Sequence, residues 1–383
     1  MRLAFLGLRG IAEGVSGGIE RHVRELALRM AAQGHEVTVF CRARYETHPD
    51  TFFRGVRLIK LPALSSKHLE AISHTALCQP FVLFGYDVVH FHATGPSLLS
   101  WLPRLTGRTV AVTVHGLDWR RAKWGKLASL VLRAGAWTSA HCPQTTIVVS
   151  RELQRHYQAV YGRETVYIPN GVNPPTLRPL ERLRRFGLEE RGYLLSLGRI
   201  VPEKGLHDLV TAFRAWDTDL KLVLAGDPGH AEAYAARLRG LAGDDPRIVF
   251  TGALYGADKD EVFSNARLFC LPSELEGMPI ALLEAMSYGC ACLVSDIPEC
   301  LEVVRPQSAP QDVHEDALAS QEPLALVHVA KDASDLGRAL RALPGEDALA
   351  RMGARARKHV LACYDWDGIT ARTLSTYHAA LGH

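Results

Sequence analysis

The feature that most constrains this chain is an alternation of short apolar, strand-like runs with helix-length segments, carried almost from end to end. "RLAFLGL" is followed by a glycine-rich loop and then by Ile19 to Gln33. There Ile19, Val23, Leu26, Ala27 and Met30 recur at helical spacing, and Gly34 supplies the stop. "HEVTVFC", "DVVHFH", "TVAVTVH", "TIVVS" and "TVYIPNG" continue the series, each separated from the next by enough chain for a helix. Such a pattern specifies a parallel sheet wound with helices on both faces.

"YLLSLG" opens a second series, "LKLVLAG", "RIVFTG", "ARLFCLPS" and "ACLVSD", again with helical stretches between. The simplest reading is two doubly wound sheets in tandem. Between them lies the Pro-rich stretch "PNGVNPPTLRPL" (Pro169 to Leu180), where proline stiffens the chain and cannot enter a central strand. The boundary is placed near residue 185, and Arg305 to Pro323 reads as a surface loop of the second half.

Length agrees: 383 residues suit two domains at roughly 150 residues each. A net charge of +3 from 44 basic and 41 acidic residues provides no strong field for nucleic acid, so any anion recognition is local. No apolar run approaches the roughly 18 residues needed to span a bilayer. The opening stretch reads as a first strand rather than a secretory signal, so a cytoplasmic chain is expected. Eight cysteines without a C-x-x-C pair, mostly in apolar surroundings, read as reduced core thiols.

In doubly wound sheets ligands bind beyond the carboxyl ends of the strands. Arg199 follows the strand "LLSLG" and Lys204 opens the next helix, so a phosphate there would meet two cations and helix-end N–H groups. One cation 4 Å from one phosphate charge is worth on the order of 4 kcal/mol at an effective dielectric near 20. Two solvated basic residues at a turn would give the same pattern. Further on, Gly277-Met278-Pro279 predicts a helix with Pro279 at its first position, running to about Tyr288. Glu276 then precedes the helix and Glu284 leaves its second turn. Eight residues at 100° put the two about 80° apart, poor geometry for a facing acid and base and better suited to binding hydroxyls. A capping carboxylate beside a surface glutamate is the plain alternative.

The loop holding Gly17 and Gly18 contains neither a dinucleotide fingerprint nor a P-loop. Its glycines suit an anion or sugar, and a tight turn equally. His115 ends "TVAVTVH". The stretch from Leu117 to Trp137 mixes Trp119, Arg120, Arg121, Lys123, Trp124 and Lys126 with an apolar helix, fit for a membrane surface or a phosphorylated acceptor, or for an ordinary amphipathic helix. His90 and His92 are read as pointing to opposite sides of their strand and are assigned to packing rather than to a shared metal.

Taken together and in order, "GGIERHVREL", "VHGLDWRRAKWG", "IPNGV", "GRIVPEKGL" and "ELEGMPIALLEAMSYGC" resemble the family-4 class of retaining glycosyltransferases with the GT-B fold, over nearly the whole chain. "EGMPIALLE" is similar to that class's E-x7-E pattern, and "GRIVPEKG" to its diphosphate loop. "HGLDWRRAKWG" looks like a subgroup among bacterial surface-polysaccharide transferases. "PLALVHVAKDASDLGRAL" departs from the pattern by lacking the glycine many relatives carry before the last strand.

The resemblance implies an α/β GT-B fold of two tandem Rossmann-like domains facing a central cleft. Residues 1–185 form the acceptor side, 186–365 bind the nucleotide-sugar, and 366–383 form a helix crossing back to the first domain. It further implies that Arg199 and Lys204 neutralise the donor diphosphate and Glu284 holds the ribose. Glu276 contacts the transferred sugar, and Gly277, Met278, Pro279 and Ile280 touch sugar or phosphate. Gly17 and Gly18 approach the phosphates, Asn170 marks a cleft-facing strand end, His115 lies beside the anomeric carbon, and Asp118, Trp119 and Arg120 are assigned to the acceptor. The implied reaction moves a sugar from a nucleotide-sugar, by default a UDP-sugar, to a glycan or lipid-linked glycan with retained configuration, without cofactor or metal. The expected partners are the donor and this acceptor, with a peripheral contact at the inner face of the cytoplasmic membrane and no nucleic acid. A nucleotide-sugar epimerase of the same fold, or a non-catalytic nucleotide-sugar-binding protein, would share most of these residues.

Overall fold

The computed structural model describes residues 1–12, 17–66, 69–120, 125–229, 231–305 and 323–382; the side chains of Arg120 and Lys126 lie outside the description. The chain divides into two compact units, Met1–Gly171 with Trp366–His383, and Val172–Asp365.

The first unit holds β1 (Arg2–Leu6), β2 (Glu36–Arg42), β3 (Phe52–Phe53), β4 (Val56–Leu61), β5 (Val88–His92), β6 (Thr109–Val114), β7 (Thr145–Val148) and β8 (Val166–Tyr167), in the order β3-β4-β2-β1-β5-β6-β7-β8. Every pairing is parallel except the β3–β4 hairpin, which turns at Arg54-Gly55, both at positive φ. The first helix runs Gly18–Ala32 and buries Val23, Leu26, Ala27 and Met30, the stripe read from its spacing. The last helix, Trp366–Leu381, belongs to this unit and packs Trp366, Ile369 and Tyr377 into the core formed by Leu3, Phe5, Val37 and Val39.

The second unit is a fully parallel sheet of β9 (Tyr193–Leu197), β10 (Lys221–Ala225), β11 (Ile248–Gly252), β12 (Leu268–Leu271), β13 (Ala291–Ser295) and β14 (Leu326–His328), in the order β11-β10-β9-β12-β13-β14. Strand order reverses at β9, whose neighbours are β10 and β12. The loops leaving β9 and β12 therefore emerge side by side at the carboxyl edge, where ligands bind in such sheets.

The division falls after Gly171, not near residue 185, and the cause is local. Glu261 on the helix Gly256–Ser264 accepts the backbone N–H groups of Glu181 and Leu183 at 2.8 and 2.7 Å. Arg185 pairs with Asp258 at 2.9 Å and Arg178 with Asp260 at 3.3 Å. These bonds tie residues 178–185, which the expected boundary leaves on the side of the first domain, onto the second unit. The segment from residue 306 to 322, most of the expected surface loop, lies outside the described residues.

Six of the eight cysteines are buried and none is in a disulfide. Burial pushes the Cys78 and Cys290 thiols up to about 12, so they remain protonated core side chains.

Candidate functional site

In the second unit, the chain leaves β9 through Gly198, Arg199 and Ile200, makes a short 3-10 turn at Pro202–Lys204, and enters the helix Leu206–Arg214. Lys204 precedes that helix instead of opening it, because Gly205 breaks the path. Gly205 sits at φ +61°, and a β-carbon there would lie 2.0 Å from the Pro272 carbonyl oxygen. Glycine thus lets the β9 loop touch the β12 loop, and Glu274 N–H donates to the Glu203 carbonyl at 2.9 Å across the same seam.

That contact brings the two sequence motifs together. Lys204 Nζ donates to Glu276 Oε1 at 2.5 Å, and Ser273 Oγ donates to the same oxygen at 2.7 Å. Arg199 and Lys204 line one hollow with Gly198, Ile200 and Leu271. The helix after Glu276 runs Ile280–Ser287. Pro279 is its N-cap, not its first helical residue, since its backbone is extended and its carbonyl accepts from Leu282 and Leu283. Met278 is buried beneath the turn, and Gly277 is partly exposed.

Glu284 projects from this helix, is buried, and accepts from Lys259 Nζ at 2.7 Å. Lys259 has no signal in the sequence, because it lies 25 residues upstream on the helix Gly256–Ser264 and meets Glu284 only through the fold. Ser273 is local to its partner, three residues before Glu276, and its place just ahead of the motif is the signal that could have found it.

In the first unit, β1, β5 and β6 end side by side and gather histidines. His92 at the end of β5 has Nδ1 3.1 Å from His115 Nε2, just past β6. His22, one turn into the first helix, bonds through Nδ1 to Asn170 Oδ1 at 2.9 Å, and its ring meets His115 edge-on at 4.8 Å. Asn170 and His115 are thus joined through His22, a residue the sequence reading left inside its motif without a role. His90 and His92 do not lie on opposite sides of their strand. Residues two apart on a strand share a face, and the two rings lie 4.2 Å apart. His90 is held by the Tyr377 hydroxyl at 2.6 Å and the Thr113 hydroxyl at 2.7 Å. Burial keeps these imidazoles neutral: His22 falls to about 4 despite its bond to Asn170, and His90 to about 3.

Gly17 caps the first helix from an exposed position, and a β-carbon there would lie 2.0 Å from Glu20 Oε2. The other Glu20 oxygen accepts Arg9 N–H at 3.3 Å; glycine at 17 suits its backbone φ of +150°, which other residues rarely adopt, and Gly18, also exposed, begins the helix. Thr94 Oγ1 donates to Asp118 at 3.3 Å, and the Trp119 ring lies 5.9 Å from His156. The Arg120 side chain and residues 121–124, with Arg121, Lys123 and Trp124, lie outside the described residues.

Among the described residues two groups have the donor types and spacing for a metal ion, His22 with His92 and His115, and His207 with Asp208 and Glu274. In the second group Glu274 is already paired with Lys331 at 3.2 Å, and His207 Nδ1 lies 3.1 Å from the Tyr234 hydroxyl.

Two family models match the chain in succession, one described as Glycosyltransferase Family 4 over residues 16–175 and one as Glycosyl transferases group 1 over residues 181–322. The phosphatidyl-myo-inositol mannosyltransferase of Mycobacterium tuberculosis is 26% identical over 381 residues, covering 96% of this chain and 94% of that protein. The alpha-maltose-1-phosphate synthase of Mycolicibacterium smegmatis is 26% identical over 407 residues, covering 98% and 99%. Among solved structures, sucrose-phosphate synthase from Thermosynechococcus elongatus superposes with a TM-score of 0.79 at 22% identity, covering 100% of this chain and 99% of that one. Anabaena HepE in complex with UDP and glucose superposes at 0.77 and 16% identity, covering 99% and 100%.

Proposed function

Because the chain belongs to the family-4 glycosyltransferases and has the GT-B fold, we propose that it transfers a sugar from a nucleoside-diphosphate sugar, with retention of configuration, to a hydroxyl of a glycan or lipid-linked glycan in bacterial surface-polysaccharide synthesis. The observation that carries this reading is the joining of the β9 and β12 loops. It sets Lys204 against Glu276 and places Arg199 on the same hollow as Lys204.

An ammonium has three N–H donors, so Lys204 can hold Glu276 and still donate to phosphate oxygens. Arg199 offers a planar fork to the same diphosphate. As the bond from the anomeric carbon to the β-phosphate oxygen breaks, its electron pair goes to the diphosphate. The two cations, with the free N–H groups at the start of helix Ile280–Ser287, stabilise that growing negative charge. The acceptor oxygen bonds to the anomeric carbon on the face the phosphate leaves, and its proton passes to a phosphate oxygen. Glu276 Oε1 already accepts from Lys204 and Ser273; Oε2 takes a hydroxyl of the transferred sugar. Glu284, fixed by Lys259, takes the ribose hydroxyls. Preorganised cations make a resident metal unnecessary to this scheme. By the family resemblance, His115, Gly17, Gly18 and Asn170 are proposed for donor binding and Asp118, Trp119 and Arg120 for acceptor binding.

A UDP donor is supported by HepE, which shares the fold and was solved with UDP and glucose. A lipid-linked acceptor is supported by the mycobacterial relatives, which are named for a phospholipid, phosphatidyl-myo-inositol.

The test is incubation with UDP-, GDP- and dTDP-sugars, with and without a bacterial lipid extract, following released nucleoside diphosphate and the anomeric proton coupling of the product. Acceptor-dependent release with retained configuration is expected. Conversion of the donor without acceptor would identify an epimerase, and donor binding without turnover a binding protein.

A further inference from the structure

The carboxyl edge of the first unit's sheet brings three imidazoles to one point. His92 ends β5, His115 follows β6, and the ring of His22 on the first helix meets both edge-on. One ring nitrogen from each lies within 4.8 Å of the others, and His92 Nδ1 is 3.1 Å from His115 Nε2. The three ring centroids are 4.8, 5.4 and 5.7 Å apart. Three imidazoles around one tetrahedral zinc ion, with Zn–N bonds of about 2.0–2.1 Å, have centroids about 5.2 Å apart. The rings are therefore already spaced for a single ion.

The surrounding bonds prepare the cluster for that ion. His22 Nδ1 bonds to Asn170 Oδ1 at 2.9 Å. An amide oxygen only accepts, so Nδ1 carries the proton and Nε2 keeps its lone pair, the arrangement by which a neighbour orients a ligating histidine. His92 Nε2 is buried and has no hydrogen-bond partner among the described residues, so the protein's own bonds leave part of this ring's capacity unused. His22 and His92 are almost fully enclosed, whereas His115 is half-buried, and the cluster is reached through it. Three imidazole nitrogens select zinc, cobalt or nickel over magnesium and calcium, which take oxygen ligands. A fourth position remains for water, as in three-histidine zinc sites. In the other grouping, His207 with Asp208 and Glu274, the Glu274 carboxylate is already neutralised by Lys331.

We infer that His22, His92 and His115 bind one divalent transition-metal ion of the zinc class. The bound ion takes His115, proposed above for donor binding, into its coordination shell and so inhibits transfer. The inhibition rests on the proposed function; the metal site does not.

The test is titration of the chelator-stripped full chain with Zn²⁺ against a chromophoric chelator, with Co²⁺ absorption spectra and thermal melts. Wild type is expected to take up one tight equivalent, to give a tetrahedral cobalt spectrum without a thiolate band, and to melt higher with zinc bound. His22→Gln and His115→Gln should each weaken zinc binding by roughly tenfold or more and lose the zinc-dependent rise in melting temperature. His207→Gln should bind zinc as wild type does. Should His22→Gln fail to melt cooperatively, His115→Gln, at the half-buried position, decides. No tight equivalent in wild type, or undiminished binding by His115→Gln, would overturn the site. So would a thiolate-to-cobalt band, which would place the metal at a cysteine such as Cys363, whose Sγ lies 3.8 Å from His359 Nδ1. Transfer that continues unchanged with the equivalent bound would overturn the inhibition. Nucleotide calorimetry in EDTA is run alongside, and its failure in a chain that still binds zinc would strike the proposed function and leave the metal site standing.

Discussion

Lys204 Nζ donates to Glu276 Oε1 across 2.5 Å, although 72 residues separate the two in sequence. The bond exists because β9 and β12 are neighbours in the sheet and Gly205 lets their loops touch. It assigns the two residues separable tasks. Lys204→Ala and Arg199→Ala should each weaken nucleoside-diphosphate binding by roughly 1.5–3 kcal/mol, the range for hydrogen bonds to charged groups. Glu276→Ala should depress kcat far more than it changes the Kd for free nucleotide. Calorimetry with steady-state kinetics reads both, and equal loss of nucleotide affinity in the Glu276 variant would count against a sugar contact.

Glu284 is a buried carboxylate held by Lys259. If it carries the ribose hydroxyls, wild type should prefer a ribonucleoside diphosphate over its 2′-deoxy analogue by roughly tenfold or more. Glu284→Gln should shrink that ratio toward one. A variant that loses affinity for both nucleotides equally would make the residue a support for Lys259 instead.

At Gly205, alanine would have to occupy a left-handed conformation with its β-carbon 2.0 Å from the Pro272 carbonyl oxygen. Gly205→Ala should destabilise the protein by roughly 1–3 kcal/mol and weaken nucleotide binding as the β9 loop withdraws from the β12 loop. Unaltered thermal stability and affinity would show that the seam does not need glycine.

The histidine cluster ties stability to pH. His22 and His90 are neutral in the folded protein, lowered by burial to about 4 and about 3, whereas an unfolded histidine takes its proton near 6.5. Between those values the unfolded chain binds more protons, so this contribution is complete above about pH 6.5 and falls as acid is added. Each such histidine costs about 1.4 kcal/mol per pH unit across that window. Thermal melting should show the midpoint dropping from pH 7 to pH 5, with a shallower slope in His90→Gln. Identical slopes in variant and wild type would remove the histidines as the cause.

The sheet strands were legible because central parallel strands, buried on both faces, read as unbroken apolar runs. The hairpin of β3 and β4 was not, since β3 has only two residues and β4 breaks its apolar run with Arg57 and Lys60. Lys204 and Glu276 were each visible as members of motifs. Their bond was not, because it depends on strand order, which the series of strands does not encode. Lys259 and His22 were overlooked for a related reason: a lysine on one helix and a histidine on another acquire a partner only when remote loops converge. The Pro-rich stretch misplaced the boundary because composition marks where chain is stiff, whereas Glu261 and Asp258 decide which unit holds residues 178–185.

The most direct test of the central claim, a diphosphate site built on Arg199 and Lys204, is calorimetric titration with UDP, GDP, dTDP and ADP in EDTA, for wild type and Lys204→Ala. Binding of one nucleotide that the variant weakens at least roughly tenfold is the result this account predicts. No binding by any of the four, or binding that the variant leaves unchanged, would contradict it.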